Sequence, residues 1–249
     1  LPALGFEPHD AAILKSAWLR QSQRLGGFEA NRWPSNALDF GLHAHPLPFP
    51  PCPKNLGLYA VLPSADWVAR MAAVGVPTLQ LRFKSDDRRA IEREVIAAVR
   101  AVQGSTSLLF INDHWASAIE HGAYGVHLGQ EDLRIAPIER LRMSGVRLGL
   151  STHGYAEMLR ADAIGPSYLA LGAVFPTTLK RMATPPQGLG RLQAYAQLMA
   201  HRPLVGIGGI DASRFADVRA CGVGSVAVVR AIVGDAQAEQ AALKLMAAW

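Results

Sequence analysis

FINDHWASAIEHGAYGVHLGQED, residues 110–132, holds the pattern that decides the fold. Two short apolar runs, LLFIND and YGVHLGQED, flank an Ala-containing segment of helical length that closes on His-Gly. Strand, helix and strand in such quick succession describe a parallel pair joined by a crossover. The runs are continuously apolar rather than alternating, which suits strands covered on both faces. Each run also ends in a carboxylate, Asp113 and Asp132. Packing gives no reason for an acid at those points, whereas a site assembled at strand ends would.

Outward from this stretch, the same unit recurs from residue 56. Apolar runs suited to buried strands are LGLYAVL, TLQLRF, SLLFIND, YGVHLG, VRLGLST, SYLALGAVF, PLVGIGGI and GSVAVVRAI. Amphipathic segments lie between them, among them ADWVARMAAVG, DRRAIEREVIAAVRAV and LGRLQAYAQLMAH, and many close on glycine as helix ends prefer. DAQAEQAALKLMAAW supplies the last helix. Eight such units without a long interruption predict an α/β fold, a (β/α)8 TIM barrel over 56–249, with a doubly wound open sheet as the alternative. Residues 1–55 form an N-terminal extension. Its segment DAAILKSAWLRQSQRL has helical spacing, with Asp10 as the expected cap. The stretch LHAHPLPFPPCPKN is too rich in proline to continue a helix or a central strand, and reads as a linker or packed extended arm. The HAH within it has no third ligand nearby and is not read as a metal site.

The chain of 249 residues is half apolar, with mean hydropathy +0.13, net charge +5 and a pI near 9.5. Its arginines are scattered, mostly on helical stretches with alternating charge, rather than striped as nucleic-acid binding requires. The two cysteines, Cys52 and Cys221, are too few for a disulfide framework, and a reducing, cytoplasmic setting is expected. No run approaches a membrane span, and the first residues lack the basic start and apolar core of a signal peptide.

In a barrel of this kind the chemistry sits at the C-terminal ends of the strands. The second strand ends LQLRFK, whose alternation would aim Gln80, Arg82 and Lys84 inward together. Two cations and an amide pointing inward call for an anionic partner, because buried charge without one is costly. The third strand ends in Asn112 and Asp113, the fourth is followed by Asp132, and the fifth ends in Ser151 and Thr152. The seventh gives GIGGI, where Gly208 and Gly209 let backbone N–H groups approach a ligand closely. Two acids beside a cationic cluster suggest Mg2+ bridging a pyrophosphate, with a structural pair of salt bridges as the alternative. His127 points inward by alternation, and both packing and a supporting role in the site fit it.

With GAYGVHLGQED, FPTTLK, LQLRFK, IND, ST and IGGI in place, the chain resembles the thiamine-phosphate synthase family over about residues 56–234. The resemblance implies a transferase that joins 4-amino-2-methyl-5-pyrimidinylmethyl diphosphate to thiazole phosphate, releasing pyrophosphate. It implies that Gln80, Arg82, Lys84, Asn112 and Lys180 surround the diphosphate, with Arg82, Lys84 and Lys180 stabilising its departure. Asp113 and Asp132 would hold Mg2+, and Ser151 would contact the pyrimidine. Thr177, Thr178, Gly208, Gly209, Val229 and Arg230 would lie at the thiazole phosphate. Two positions depart from the family pattern: Leu179 stands for the second Thr of the sixth loop, and Arg230 for a common Ser after strand eight. The partners implied are small phosphorylated substrates, with room for a homo-oligomer and none for nucleic acid or membrane. A thiazole tautomerase paralogue and a catalytically silent phosphate-ligand binder are the competing readings, and the retained acid and base set argues against both. Every candidate residue lies between Gln80 and Arg230, so residues 1 to about 53 are expected to be dispensable for chemistry.

Overall fold

The computed structural model describes residues 4–178 and 184–249. Eight parallel strands close into a barrel in chain order: β1 Gly57–Leu62, β2 Thr78–Leu81, β3 Leu108–Asn112, β4 Gly125–Leu128, β5 Arg147–Thr152, β6 Tyr168–Leu171, β7 Leu204–Ile207 and β8 Ser225–Val228. The ring closes through β1 and β8, with Gly57 opposite Ser225. The expected TIM barrel is therefore the observed fold, and the open sheet is excluded.

The crossover helices are α2 Ala65–Ala73, α3 Arg88–Ala101, α4 Trp115–Glu120, α5 Ile138–Met143, α6 Tyr155–Asp162, α7 Gly188–Leu198 and α8 Phe215–Ala220. Two more follow β8, the short α9 Arg230–Val233 and the terminal α10 Ala238–Ala247. Local chemistry sets several of these boundaries. The Asp87 side chain accepts the Arg89 N–H at 2.9 Å to open α3, and Gly75, at φ 82°, stops α2 in a conformation other residues resist.

Two apolar layers hold the barrel. The outer layer, between strands and helices, buries Val68, Met71, Val95, Met158, Leu192 and Val218 among many others. The inner layer fills the barrel itself with Leu56, Tyr59, Val61, Phe110, Tyr168, Ala170, Val205 and Ala227. Phe110 and Tyr168 meet edge to face at 5.1 Å between centroids. Glycines on the neighbouring strands make that possible. A Cβ on Gly125 would stand 2.4 Å from the Phe110 ring, and one on Gly149 would stand 2.1 Å from that of Tyr168.

The structure revises some boundaries. β2 stops at Leu81, so Arg82 and Lys84 lie beyond the strand rather than in it; β6 stops at Leu171, ahead of the expected run. Helix α1, Pro8–Leu25, begins two residues before Asp10, because proline is well tolerated in a first turn. Asp10 therefore does not cap its own helix.

The proline-rich stretch is a packed arm. Phe49 donates its N–H to Gly165 O at 2.8 Å, Ser167 Oγ donates to Pro50 O at 2.7 Å, and Arg147 Nε to Pro51 O at 3.2 Å. His45 Nδ1 accepts the Leu47 N–H at 3.0 Å, a turn-closing role for the HAH histidine. Helix α1 lies against α6 with Leu14 and Ala17 fully buried; Leu14 alone contributes roughly 1.5–3 kcal/mol to that docking. Phe40 stacks on Tyr155 at 5.4 Å, and Trp33 Nε1 donates to Tyr155 Oη at 2.9 Å. Among the described residues no helix is long and apolar enough to cross a membrane.

Candidate active site

Adjacent strand ends bring the candidates together. Gln80 lies inside β2, 4% exposed, and Asn112 closes β3, 7% exposed and opposite His127 in the β3–β4 register. Arg82 follows β2, half-buried, its backbone N–H donated to Leu62 O at 2.7 Å. Lys84 extends further from the strand end and pairs with the Asp113 carboxylate.

Asp113 has φ 63°, alone among the described non-glycine residues in the left-handed region. Aspartate tolerates that region better than most, and such positions cluster at functional sites. The turn is held by the Asp113 N–H to His127 O at 3.0 Å and the Trp115 N–H to Asp113 O at 2.8 Å.

Asp132 opens a short 3-10 turn, 132–134, and its Oδ2 accepts the Gly129 N–H at 2.9 Å. Burial, then the neighbouring Asp113 carboxylate, hold the Asp132 carboxyl above its ordinary range, against the pull of the Gly129 N–H and Lys84. Two carboxylates from consecutive strands thus face each other at a cost in repulsion. Hard oxygen donors of that kind suit a divalent cation such as Mg2+, whose charge would relieve the repulsion. The donor set fits the ion.

Deeper in the barrel runs a chain of hydrogen bonds that sequence reasoning missed. Gln80 Nε2 donates to Tyr59 Oη at 2.9 Å, Tyr59 Oη meets Tyr168 Oη at 2.7 Å, and Tyr168 Oη meets His127 Nδ1 at 2.7 Å. His127 Nε2 meets Ser151 Oγ at 2.8 Å. An amide nitrogen can only donate, so Tyr59 Oη accepts from Gln80. With the Tyr59 proton turned to Tyr168, the chain runs on through Tyr168 to His127 Nδ1, His127 presents Nε2–H to Ser151, and the Ser151 proton and Gln80 Oε1 are left for a ligand; with the His127 proton on Nδ1 the last two bonds reverse. Burial keeps both phenols protonated, raising Tyr59 and Tyr168 well above the usual phenol range. His127 is thus hydrogen-bonded at both ring nitrogens, to Tyr168 inside the barrel and to Ser151 at the strand end. Gln130 donates Nε2 to Ser151 O at 2.7 Å.

On the opposite side of the mouth, Gly208 (φ 104°) and Gly209 (φ 66°) follow β7. The sixth loop packs hard on them: Val174 N–H bonds Ile207 O and Phe175 N–H bonds Gly208 O, both at 2.9 Å. A Cβ at 208 would meet Ala173 Cβ at 2.5 Å, so only glycine fits. Thr177 is half-buried and Thr178 exposed in the same loop, while Leu179 and Lys180 lie outside the described residues. Val229, half-buried, precedes α9, and Arg230 begins it. The Arg230 side chain is exposed; with Asp211, Gln237, Gln240 and Lys244 it lines a cavity of about 370 Å³ beside α10. It forms no ion pair with Asp235 among the described residues.

Neither cysteine belongs to this site. Burial pushes the Cys52 thiol up to about 12, and Cys221 is buried behind α8 with its thiol also raised by burial.

A closed barrel with carboxylates, cations, amides and a glycine pair gathered at its strand ends defines a (β/α)8-barrel enzyme. Residues 58–232 match the family model of thiamine monophosphate synthase. The chain belongs to that family, whose members are transferases. It is 49% identical over 201 residues to the thiamine-phosphate synthase of Neisseria meningitidis, covering 81% of this chain and 98% of that protein. It is 46% identical over 198 residues to the corresponding enzyme of Proteus mirabilis, covering 80% and 92%. A thiamine phosphate pyrophosphorylase from Pyrococcus furiosus superposes with a TM-score of 0.69 at 27% identity, covering 78% of this chain and 96% of that one.

Proposed function

We propose that this chain forms thiamine phosphate from 4-amino-2-methyl-5-pyrimidinylmethyl diphosphate and thiazole phosphate. The observation that carries the reading is the meeting of Asp113 and Asp132 beside Lys84 at consecutive strand ends, in a chain of this family. The bond between the pyrimidine methylene and the diphosphate oxygen breaks, and its electron pair leaves with pyrophosphate. The thiazole nitrogen then gives its lone pair to the methylene carbon. The aminopyrimidine spreads the positive charge, so no protein nucleophile is required.

The chain's own residues bind, orient and neutralise. Arg82, Lys84 and Lys180 stabilise charge that grows on the departing diphosphate, where preorganised cations act most strongly. Asn112 holds it by hydrogen bonds from its amide. Ser151 donates to a ring nitrogen of the pyrimidine while His127 Nε2–H supports its oxygen, and Gln80 Oε1 accepts from the pyrimidine amino group. Gly208, Gly209, Thr177, Thr178, Val229 and Arg230 receive the thiazole phosphate. Mg2+ held by Asp113 and Asp132 would supply Lewis-acid charge neutralisation at the diphosphate.

The test is formation of thiamine phosphate from both substrates with and without Mg2+. Asp113→Ala and Asp132→Ala should each remove most turnover while the circular dichroism of the barrel persists. Unchanged activity of both variants at limiting Mg2+ would remove the metal assignment. No product from the parent chain would remove the function.

A further inference from the structure

The N-terminal helix lies outside the family match, which begins at residue 58. The 201 residues shared with the N. meningitidis enzyme, 98% of that protein, leave 249 − 201 = 48 residues of this chain without a counterpart there. Yet this segment reaches the turn that carries a site residue. Helix α6 starts at Tyr155, four residues after Ser151, and a helix's first N–H groups have no partner within it. Its N-cap is Gly154, which has no side chain to offer.

Asp10 fills that role from α1. Its Oδ2 accepts the Tyr155 N–H at 3.1 Å and its Oδ1 the Ala156 N–H at 2.8 Å. The carboxylate is 7% exposed and faces the helix end where negative charge is favoured. A Cβ at residue 154 would lie 2.2 Å from Asp10 Oδ2, so the glycine makes the space that the acid occupies. The far end of α6 is pinned as well, by Arg202 on Asp162. Between the cap and Ser151 the turn is tied again, with the His153 N–H donated to Glu157 Oε2 at 2.9 Å.

We propose that Asp10 is a positioning residue: by capping α6 from outside the family unit, it fixes the β5–α6 turn and with it the direction of the Ser151 hydroxyl. The N-terminal segment is then a brace for the pyrimidine half of the site rather than an appendage dispensable for chemistry. This rests on the role given to Ser151 above.

The experiment uses the full chain with Asp10→Ala, Asp10→Asn, Gly154→Ser and the double variant Asp10→Ala/Gly154→Ser. Losing a helix N-cap corresponds to about a fivefold change in an equilibrium. Asp10→Ala should raise KM for the pyrimidine diphosphate by about that factor and leave KM for thiazole phosphate within about twofold. Asp10→Asn, which keeps one acceptor, should fall between. Gly154→Ser alone should be harmful because its Cβ meets the Asp10 carboxylate. In the Asp10→Ala background the same change should repair, since the serine hydroxyl can cap the helix in the vacated space. Hydrogen exchange of amides 151–156 should accelerate about fivefold in Asp10→Ala and recover in the double variant. If Asp10→Ala does not fold, the Asp10→Asn and double variants carry the same comparison. Unchanged exchange and KM in Asp10→Ala, equal losses for both substrates, or a double variant worse than Asp10→Ala would each overturn the proposal. Should the parent chain form no thiamine phosphate, the function assigned above fails, and the exchange comparison alone decides whether Asp10 holds the turn.

Discussion

Removing one oxygen atom tests the buried chain that links Gln80 to Ser151. Tyr168→Phe keeps the ring, its edge-to-face contact with Phe110 and the space made by Gly149, and deletes only the hydroxyl. That hydroxyl is fully buried and lies 2.7 Å from both Tyr59 Oη and His127 Nδ1. Each partner left unsatisfied in a dry interior costs about 1–2 kcal/mol, so the variant should lose roughly 2–4 kcal/mol of stability. For a domain of this size that is a fall in Tm of roughly 5–15 °C, readable by circular dichroism. A second readout separates this loss from mere packing. With the chain running from Gln80 to Ser151, Tyr168 donates to Nδ1 and keeps the His127 proton on Nε2, a tautomer that 15N chemical shifts of the imidazole report directly. In Tyr168→Phe that constraint is gone, and the shifts should move toward a tautomer mixture. KM for the pyrimidine diphosphate should rise more than KM for thiazole phosphate. A Tm within about 1 °C of the parent, with the same imidazole shifts, would refute the directional chain.

Three further expectations follow from named contacts. Asp132 is held above its ordinary range by burial and by Asp113, so without metal its contribution to stability declines as pH rises through its unfolded value toward the higher folded one. Asp132→Asn should therefore raise the metal-free Tm at pH 7, and an unchanged or lower Tm would contradict the paired-acid reading. Burial alone would raise the Asp162 carboxyl, but hydrogen bonds from His201 and Arg202 outweigh it and hold it low. Its stabilisation is complete above the unfolded value of about 4 and is lost as pH falls through the lower folded value, so Asp162→Asn should flatten the acid limb of a Tm–pH profile. Arg230→Ser should weaken thiazole phosphate binding by about tenfold and spare the diphosphate, since a guanidinium contact exceeds a hydroxyl one by about one decade of affinity; equal affinities by titration calorimetry would assign Arg230 to the outer cavity alone.

Much of the barrel was legible because parallel strands covered on both faces read as plain apolar runs, and eight of them in sequence leave little choice of topology. Gln80, Asn112, Asp113 and Asp132 were legible for the opposite reason: polar groups at the ends of such runs are anomalies. Tyr59 and Tyr168 were not, because a tyrosine inside an apolar run looks like filler until closure of the barrel shows which hydroxyl it faces. Inward alternation identified His127 but not its partners, which lie on β5 and β6. Arg82 and Lys84 were extrapolated along a strand that ends at Leu81, so their alternation was the wrong ground for placing them. Asp10 was assigned to its own helix because sequence proximity favours local caps, while its partners, Tyr155 and Ala156, are about 145 residues away.

The aromatic rings that Gly125 and Gly149 admit have a consequence for traffic through the molecule. Tyr59, Phe110 and Tyr168 pack against one another across the inside of the barrel and form a floor beneath the strand ends. A ligand that reached this floor from the strand ends would leave by the way it came. Whatever docks deepest must arrive first and depart last. A pyrimidine seated on the tyrosine floor would therefore be sealed in by the thiazole above it, which makes the order of binding a property of the barrel's plug rather than of any moving part.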